Sequence, residues 1–238
     1  MSAVAPSTPT ASGWPDNRSA AEALRASIEG AGLTARGDPR RVLVMLSGGL
    51  DSVALLALVL AETDLDVVAH HVELHNFEQR AVAELDALDR VLGWFADNER
   101  PFDYTTSRTE FPFRRGGGYD MALSLFIATR ICLELGDVAA VLTGHIFPRH
   151  RELAAGMAVY QASFGARTER PPWLWPFSEI PPGKRHKRKV DIYQSIPPDL
   201  AERCWSCRTP VHDPDGSYEP CGECHACVSV TAARAASC

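Results

Sequence analysis

Ser47-Gly48-Gly49-Leu50-Asp51-Ser52 constrains this chain more than any other stretch. It follows a short apolar run, Val42 to Leu46, that reads as a buried parallel strand. It precedes Val53 to Leu60, an apolar run that reads as a helix. A strand, a glycine-rich turn and a helix form the geometry that holds a phosphate group. The glycines let backbone N–H groups approach an anion closely, and the helix N-terminus adds unpaired donors and a favourable dipole. Ser47, Asp51 and Ser52 offer helix caps and further hydrogen bonds. The turn lacks the Lys-Ser/Thr ending of a Walker A loop and is not the dinucleotide G-x-G-x-x-G. The candidate nucleotide-binding residues are therefore Leu46, Ser47, Gly48, Gly49, Leu50, Asp51 and Ser52.

Further along, alternating apolar and amphipathic runs point to a parallel sheet with helices on both faces. Residues 19–32 read as a helix, with Asn17 or Ser19 as its cap. Strands are expected at 41–46, 65–72, 101–105 and 138–142, and helices at 77–93, 119–135 and 148–165. Residues 107–119 read as a loop. Prolines break the pattern after residue 170, and a basic run at 184–189 leads into a short helix. Ligands of such sheets sit at the carboxyl ends of the strands. Thr143-Gly144-His145 falls at such an end and joins the candidate nucleotide site. Three units are expected: a flexible arm and helix at 1–38, an α/β domain at 39–198 and a cysteine-rich tail at 199–238.

A length of 238 residues suits one large α/β domain with a small appendage, and 45% hydrophobic residues supply a core. The net charge of −6 gives no general case for nucleic-acid binding. No apolar run is long enough to span a membrane, and the N-terminus lacks the charged-then-apolar order of a signal peptide. A cytoplasmic protein is expected. Its seven cysteines then have to be reduced or metal-bound. Cys132, alone in an apolar helix pattern, reads as a buried small hydrophobe.

The other cysteines crowd towards the C-terminus. Cys221-Gly-Glu-Cys224-His-Ala-Cys227 contains two overlapping C-x-x-C steps, which gather three thiolates around one point. Cys207 completes a tetrahedral four-cysteine site, a donor set that favours zinc in a folding role. Cys204 is the alternative fourth ligand, and an iron–sulfur cluster has the same ligand count. His212 and His225 read as surface residues.

The S-G-G-x-D-S loop is the signature of the PP-loop ATP pyrophosphatases. Together with Trp205-Ser206-Cys207 and Cys221 to Cys227, it makes residues 40–232 resemble the QueC family of 7-cyano-7-deazaguanine synthases. Gln79-Arg80 with Glu84, Thr143-Gly144, and Lys187 placed twenty residues before Cys207 are similar to further family segments. Two segments differ. Glu73 to Arg80 carries extra residues, with Ala81 in place of a histidine, and Gly117-Gly118-Tyr119-Asp120 stands where the family has Pro-Gly-Arg-Asn. Both border the substrate in the family.

The resemblance implies an ATP-dependent carbon–nitrogen ligase. It would adenylate the carboxylate of 7-carboxy-7-deazaguanine, release pyrophosphate, and pass the acyl group to an amine. The amine is ammonia or, given the altered segments, an amine on a protein or another small molecule. ATP, Mg²⁺ held mainly by its phosphates, and Zn²⁺ are the implied cofactors, and a homodimer is the family default. Asp51, Lys187 and Arg80 are the candidate catalytic residues. Lys187 would contact a phosphate, against the alternative of a solvated basic face. Arg80 would bind the acid, against a surface ion pair. His145 would touch ATP or substrate. The competing readings are a PP-loop tRNA-modifying enzyme of the thiolase type and a non-catalytic nucleotide sensor.

Overall fold

Five parallel strands in the order β3-β2-β1-β4-β5 form the centre of the protein. The structure is a computed structural model that describes residues 14, 17–34, 36–37, 40–111, 119–146, 150–167, 170–178, 180, 185–214 and 216–237. In chain order these hold α1 (Ser19–Gly30), β1 (Arg41–Met45), α2 (Leu50–Glu62), β2 (Asp66–Asn76), α3 (Ala81–Asn98) and β3 (Asp103–Phe111). There follow α4 (Tyr119–Leu135), β4 (Val138–Thr143), α5 (His150–Ser163), β5 (Trp173–Leu174), a 3₁₀ turn at Pro176–Ser178 and α6 (Arg185–Tyr193). The tail holds α7 (Pro198–Arg203), β6 (Val211–His212), β7 (Tyr218–Glu219) and α8 (His225–Ala235).

The strands are apolar on both faces because both faces are covered. Val42, Val44, Val67, Ala69, Ala140 and Leu142 point into one core with α2 and residues from α1, α3, α6 and α7. Leu43, Met45, Val68 and Val141 point into another, with Met121, Leu125 and Ala128 of α4 and Tyr160 of α5. α2 is apolar all round its circumference and is buried from Val53 to Leu60. Glu62 near its C-terminal end is held by Arg18 at 2.6 Å and by Arg25.

Chain direction across the sheet reverses beside β1. β2 and β3 build outwards on one side, β4 and β5 on the other. Met45 pairs with His70 on one neighbour and Thr143 on the other, so the carboxyl ends of β1 and β4 are level while β2 runs on past them to Asn76. A crevice opens at such a reversal, outside the carboxyl ends, and the Ser47–Ser52 turn lies there.

Several boundaries differ from the sequence expectation. β2 runs on to Asn76 and β3 to Phe111 because the two pair without interruption from Val68–Asp103 to Asn76–Phe111. The alternating segment Glu73 to Asn76 therefore lengthens a strand. α3 starts at Ala81, four residues later than its hydrophobic period suggests. The Asn76 side chain accepts from the Glu78 N–H at 2.9 Å, and Gln79 adopts φ +52°, so a turn occupies the expected first helical turn. A short fifth strand, Trp173–Leu174, forms within the proline-rich stretch. The basic run from Arg185 to Lys189 lies inside α6 instead of preceding a helix. Residues 1–13 of the expected arm and the Arg114-Arg115 loop lie outside the described residues. Among the described residues no helix is long and apolar enough to cross a membrane.

Leu56 is fully buried in α2. Leu56→Ala should cost about 2–5 kcal/mol of stability, read as a lowered urea midpoint with the transition slope unchanged.

Candidate functional site

The turn after β1 is built around its glycines. Gly48 has φ +75°, and a Cβ there would lie 3.2 Å from the Glu84 carbonyl oxygen and from Leu88 Cγ. Gly49 caps α2 in extended conformation with no side-chain cap of its own. Ser52 Oγ reaches back to accept from the Ser47 N–H at 3.0 Å and donates to the Gly49 carbonyl at 3.1 Å. The cap at Leu50 N–H comes instead from Ser206, whose Oγ accepts at 3.3 Å. Next to it, the Trp205 N–H donates to the Gly48 carbonyl at 3.0 Å. The cysteine-rich tail thus closes one side of the turn.

Thr143-Gly144-His145 closes another. A Cβ on Gly144 would meet the Asp51 carbonyl carbon and oxygen at 2.7 Å and Ser52 N at 2.8 Å. Only glycine lets the end of β4 come this close to the first turn of α2. Thr143 is fixed from below by the Trp173 indole N–H, which donates to its Oγ1 at 2.9 Å. Trp173 is accordingly a buried core residue.

Asp51 carries a partner the sequence did not indicate. Lys189 Nζ lies 2.5 Å from Asp51 Oδ1, and Lys189 is almost fully buried. Lys187 sits two residues earlier on α6, and its side chain lies outside the described residues. The spacing that singled out Lys187 is a property of the linear sequence. Which lysine of a basic run turns inwards depends on the helical phase, 100° per residue.

The crevice has two communicating lobes. One, of about 210 Å³, runs from Ser47 and Ser52 along the ends of β2 and β4 to Met121 and Ser124. The other, of about 260 Å³, runs from the same serines past Asp51 and Lys189 to Trp205, Ser206 and Ser229. Ser47, Ser52, Arg80, Glu84, His145 and Arg208 line both.

Three histidines stand around the first lobe. His70 is held between Thr105 Oγ1 at 2.8 Å and Ser107 Oγ at 2.9 Å, and burial pushes its pKa down to about 4. His71 Nδ1 lies 3.0 Å from the Leu46 carbonyl, so that nitrogen carries the proton and Nε2 is an acceptor. Burial also lowers the pKa values of His71 and His145. His71 Nε2 and His145 Nδ1 are buried and find no hydrogen-bond partner among the described residues.

Five charged side chains meet where the lobes join. Arg80 contacts Glu78 at 3.1 Å, Glu84 at 3.2 Å and Asp120 at 3.0 Å. Arg208 contacts the same Glu78 at 2.9 Å and the same Asp120 at 2.8 Å. Arg80 is mostly buried, so it belongs to a cleft network and not to a surface ion pair. Glu84 is the least well held. The Arg80 Nε beside it has no aligned hydrogen bond. Burial raises the Glu84 pKa to about 7 against the opposing pull of Arg80 and Arg208.

Cys207, Cys221, Cys224 and Cys227 bring their sulfurs within 4.8 Å of one another, a cluster that can hold a metal ion. Backbone N–H groups of Cys221, Cys224 and Cys227 point at the sulfurs of Cys207, Cys221 and Cys224 at 3.3–3.4 Å. Hydrogen bonds from the Thr209 hydroxyl and from backbone N–H groups push the Cys221 thiol down to about 6, which favours the thiolate a metal needs. Cys204 stands outside this cluster, its thiol directed at the Leu200 carbonyl at 3.5 Å. Burial pushes the thiols of Cys204 and Cys132 up to about 12.

The structure thus brings the Ser47–Ser52 turn, Thr143–His145 and Arg80 into one crevice, with Cys207 at its edge and the other three cysteines behind it. Sequence reasoning missed Lys189, Ser206, Arg208, Glu78 and Asp120. The signals available were the adjacency of Ser206 and Arg208 to Cys207, the place of Glu78 and Asp120 in the two segments that differ from the QueC family, and that of Lys189 in the basic run. No protein-family model matches the chain, and no curated protein matches it. Its fold is similar to that of the U34-tRNA thiolase NcsA from Methanococcus maripaludis, solved with its [4Fe-4S] cluster. The TM-score is 0.50 at 15% identity, over 92% of this chain and 70% of that one. At that identity the likeness is one of fold.

Two outcomes are expected. Gly144→Ala forces the 143–145 segment off the α2 N-terminus and should lower the melting temperature by several degrees. His70 stays neutral to about pH 4, whereas an unfolded histidine takes up its proton near 6.5. The unfolded state therefore binds more protons between those values, and stability falls as pH drops through that window. Urea midpoints at pH 7 and pH 5 should differ less in His70→Gln than in the parent chain.

Proposed function

We propose that this chain is a PP-loop ATP pyrophosphatase of the QueC type, adenylating the carboxylate of 7-carboxy-7-deazaguanine or a close analogue and transferring the acyl group to an amine. The observation that carries the reading is the crevice at the β1–β4 reversal. A glycine turn and a helix N-terminus suited to phosphates there adjoin a second lobe that carries arginines. ATP would set its phosphates against the Ser47–Ser52 turn, whose backbone donors and helix dipole match developing charge on pyrophosphate. Mg²⁺ would arrive mainly as a ligand of the phosphates. Lys189 holds Asp51 and adds positive charge beside the turn. Arg80 and Arg208 stand beside the crevice held by Glu78 and Asp120, with which a substrate carboxylate would compete for their N–H groups. The carboxylate attacks the α-phosphorus, pyrophosphate leaves, and an amine then displaces AMP from the acyl carbon. The two lobes let acid and nucleotide meet in line, so positioning and charge neutralisation account for the catalysis.

The cysteine cluster suits zinc. Four sulfurs at about 2.3 Å from one ion lie about 3.8 Å apart, within the spread observed here. All four positions are protein thiolates, so the metal supplies folding energy and no open coordination site. Cys207, Cys221, Cys224 and Cys227 would hold it, and through Trp205 and Ser206 it would steady the turn. A homodimer, as in the QueC family, completes the proposal.

A thiolase-type tRNA-modifying enzyme is the second reading, supported by the fold shared with NcsA. Burial raises the thiol pKa values of Cys132 and Cys204, so on this reading the sulfur chemistry would fall to the four clustered cysteines, which have the ligand count of an iron–sulfur cluster.

Release of AMP and pyrophosphate from ATP decides between them. Turnover that depends on the deazaguanine acid, and proceeds to an amide or nitrile with ammonium, supports the ligase. Acid-dependent turnover completed only by a protein amine supports the same chemistry with another acceptor. Turnover that depends on tRNA, with sulfur incorporated, overturns both in favour of the thiolase. Metal analysis should return one zinc per chain, lowered severalfold in Cys224→Ser.

A further inference from the structure

Transfer of an acyl group from an adenylate to an amine has a requirement that the phosphate turn does not meet. At neutral pH most amines are ammonium ions and carry no lone pair. A proton has to leave the nitrogen before or as it attacks, and a group in the crevice can take it.

The five-charge network is where such a group is found. Arg80 and Arg208 share Glu78 and Asp120, and these four side chains satisfy one another through contacts of 2.8–3.1 Å. Glu84, from the first turn of α3, is the remaining member. Among the described residues its carboxylate has one ion-pair contact, 3.2 Å from Arg80 Nε and off the line of a hydrogen bond. Glu84 lines both lobes, and its own backbone carbonyl is packed against Gly48 of the turn. It is therefore close to where the nucleotide and the acceptor meet, and its oxygens are not committed elsewhere. Three carboxylates against two guanidinium groups also leave the network one negative charge in excess, which attracts an ammonium ion.

We propose that Glu84 is the general base that takes the proton from the incoming ammonium group. This rests on the adenylating reading above. The Glu84 carboxylate accepts one N–H proton and becomes a carboxylic acid, and the freed lone pair forms the C–N bond. The C–O bond to AMP breaks, and its electron pair leaves on the AMP phosphate. The nitrogen's second surplus proton passes to solvent, and Glu84 reionises before the next turnover. The groups facing Glu84 are Arg80 at the head of α3, Glu78 before it, Asp120 on α4 and Arg208 from the tail. Burial, opposed by the two arginines, brings Glu84 to about pH 7, where a base can both take up and release a proton.

The test uses the full chain with ATP, the deazaguanine acid and a fixed total concentration of ammonium, over pH 5.5 to about 9. The parent rate of amide formation should rise through about pH 7 and then level, following Glu84. Glu84→Gln should lose roughly 10²-fold at pH 7, the size of a general-base effect. Its remaining rate should climb with free ammonia and show no levelling near 7. Hydroxylamine is largely unprotonated at neutral pH and needs no base, so it should recover most of the loss. Glu84→Asp keeps a carboxylate and should keep a levelling profile at reduced rate. An E84Q profile that levels where the parent's does, or equal losses with ammonia and hydroxylamine, would overturn the assignment. Acid-dependent ATP–pyrophosphate exchange by the parent chain is the separate control. Its absence defeats the adenylating reading itself, whereas exchange with an unaltered E84Q profile defeats only the role of Glu84.

Discussion

The segment Trp205-Ser206 against the Gly48–Leu50 turn is the contact on which the rest of the site depends. A glycine turn at a helix N-terminus exposes more backbone donors and acceptors than it can satisfy itself. Here two of them are met from about 155 residues away along the chain: the Gly48 carbonyl by the Trp205 N–H, and the Leu50 N–H by Ser206 Oγ. Gly49 packs closely here: a Cβ would stand 3.3 Å from the Trp205 carbonyl oxygen, a tight approach that a larger side chain would have to relieve by small shifts. The tail and the turn therefore share one set of hydrogen bonds. The cysteine cluster begins one residue further on, at Cys207. A metal held there would act on the glycine turn through two peptide units and no long lever.

Charge in the crevice is arranged by the same proximity. Arg208 follows Cys207 directly and reaches Glu78 and Asp120, which Arg80 also holds. Buried ion pairs of this kind add little net stability, because desolvation offsets the attraction. Their effect is to hold side chains in position. Two guanidinium groups locked by shared carboxylates keep their orientation while Glu84 beside them stays loosely held. Lys189 and Asp51 repeat the pattern at the other end of the lobe. Three histidines kept neutral by burial leave the first lobe with hydrogen-bonding groups and no added positive charge.

Much of the fold was legible because it is written in short-range pattern. The apolar runs at Val42–Leu46 and Val138–Leu142 are strands buried on both faces, and the all-apolar run after Ser52 is the buried central helix. Where local pattern was incomplete, the reading stopped short. Glu73 to Asn76 and Ser107 to Phe111 are polar enough to look like loops, yet each supplies the other's ladder bonds. The start of α3 was misplaced because a side-chain turn at Asn76 outcompeted the apolar period.

By itself, the sequence determined the α/β class, the phosphate-type turn and the grouping of the four cysteines. Each is encoded in residues close together, where spacing alone specifies geometry. Tertiary structure decided which distant residues complete the site: Ser206 as the cap, Lys189 as the partner of Asp51, and Arg208 and Asp120 beside Arg80 and Glu84. These contacts join residues 40 to 156 positions apart. Their geometry follows from strand order and from the phase of α6, which no local pattern carries. The glycine turn is set by its local sequence, and the packed chain selects the groups that surround it.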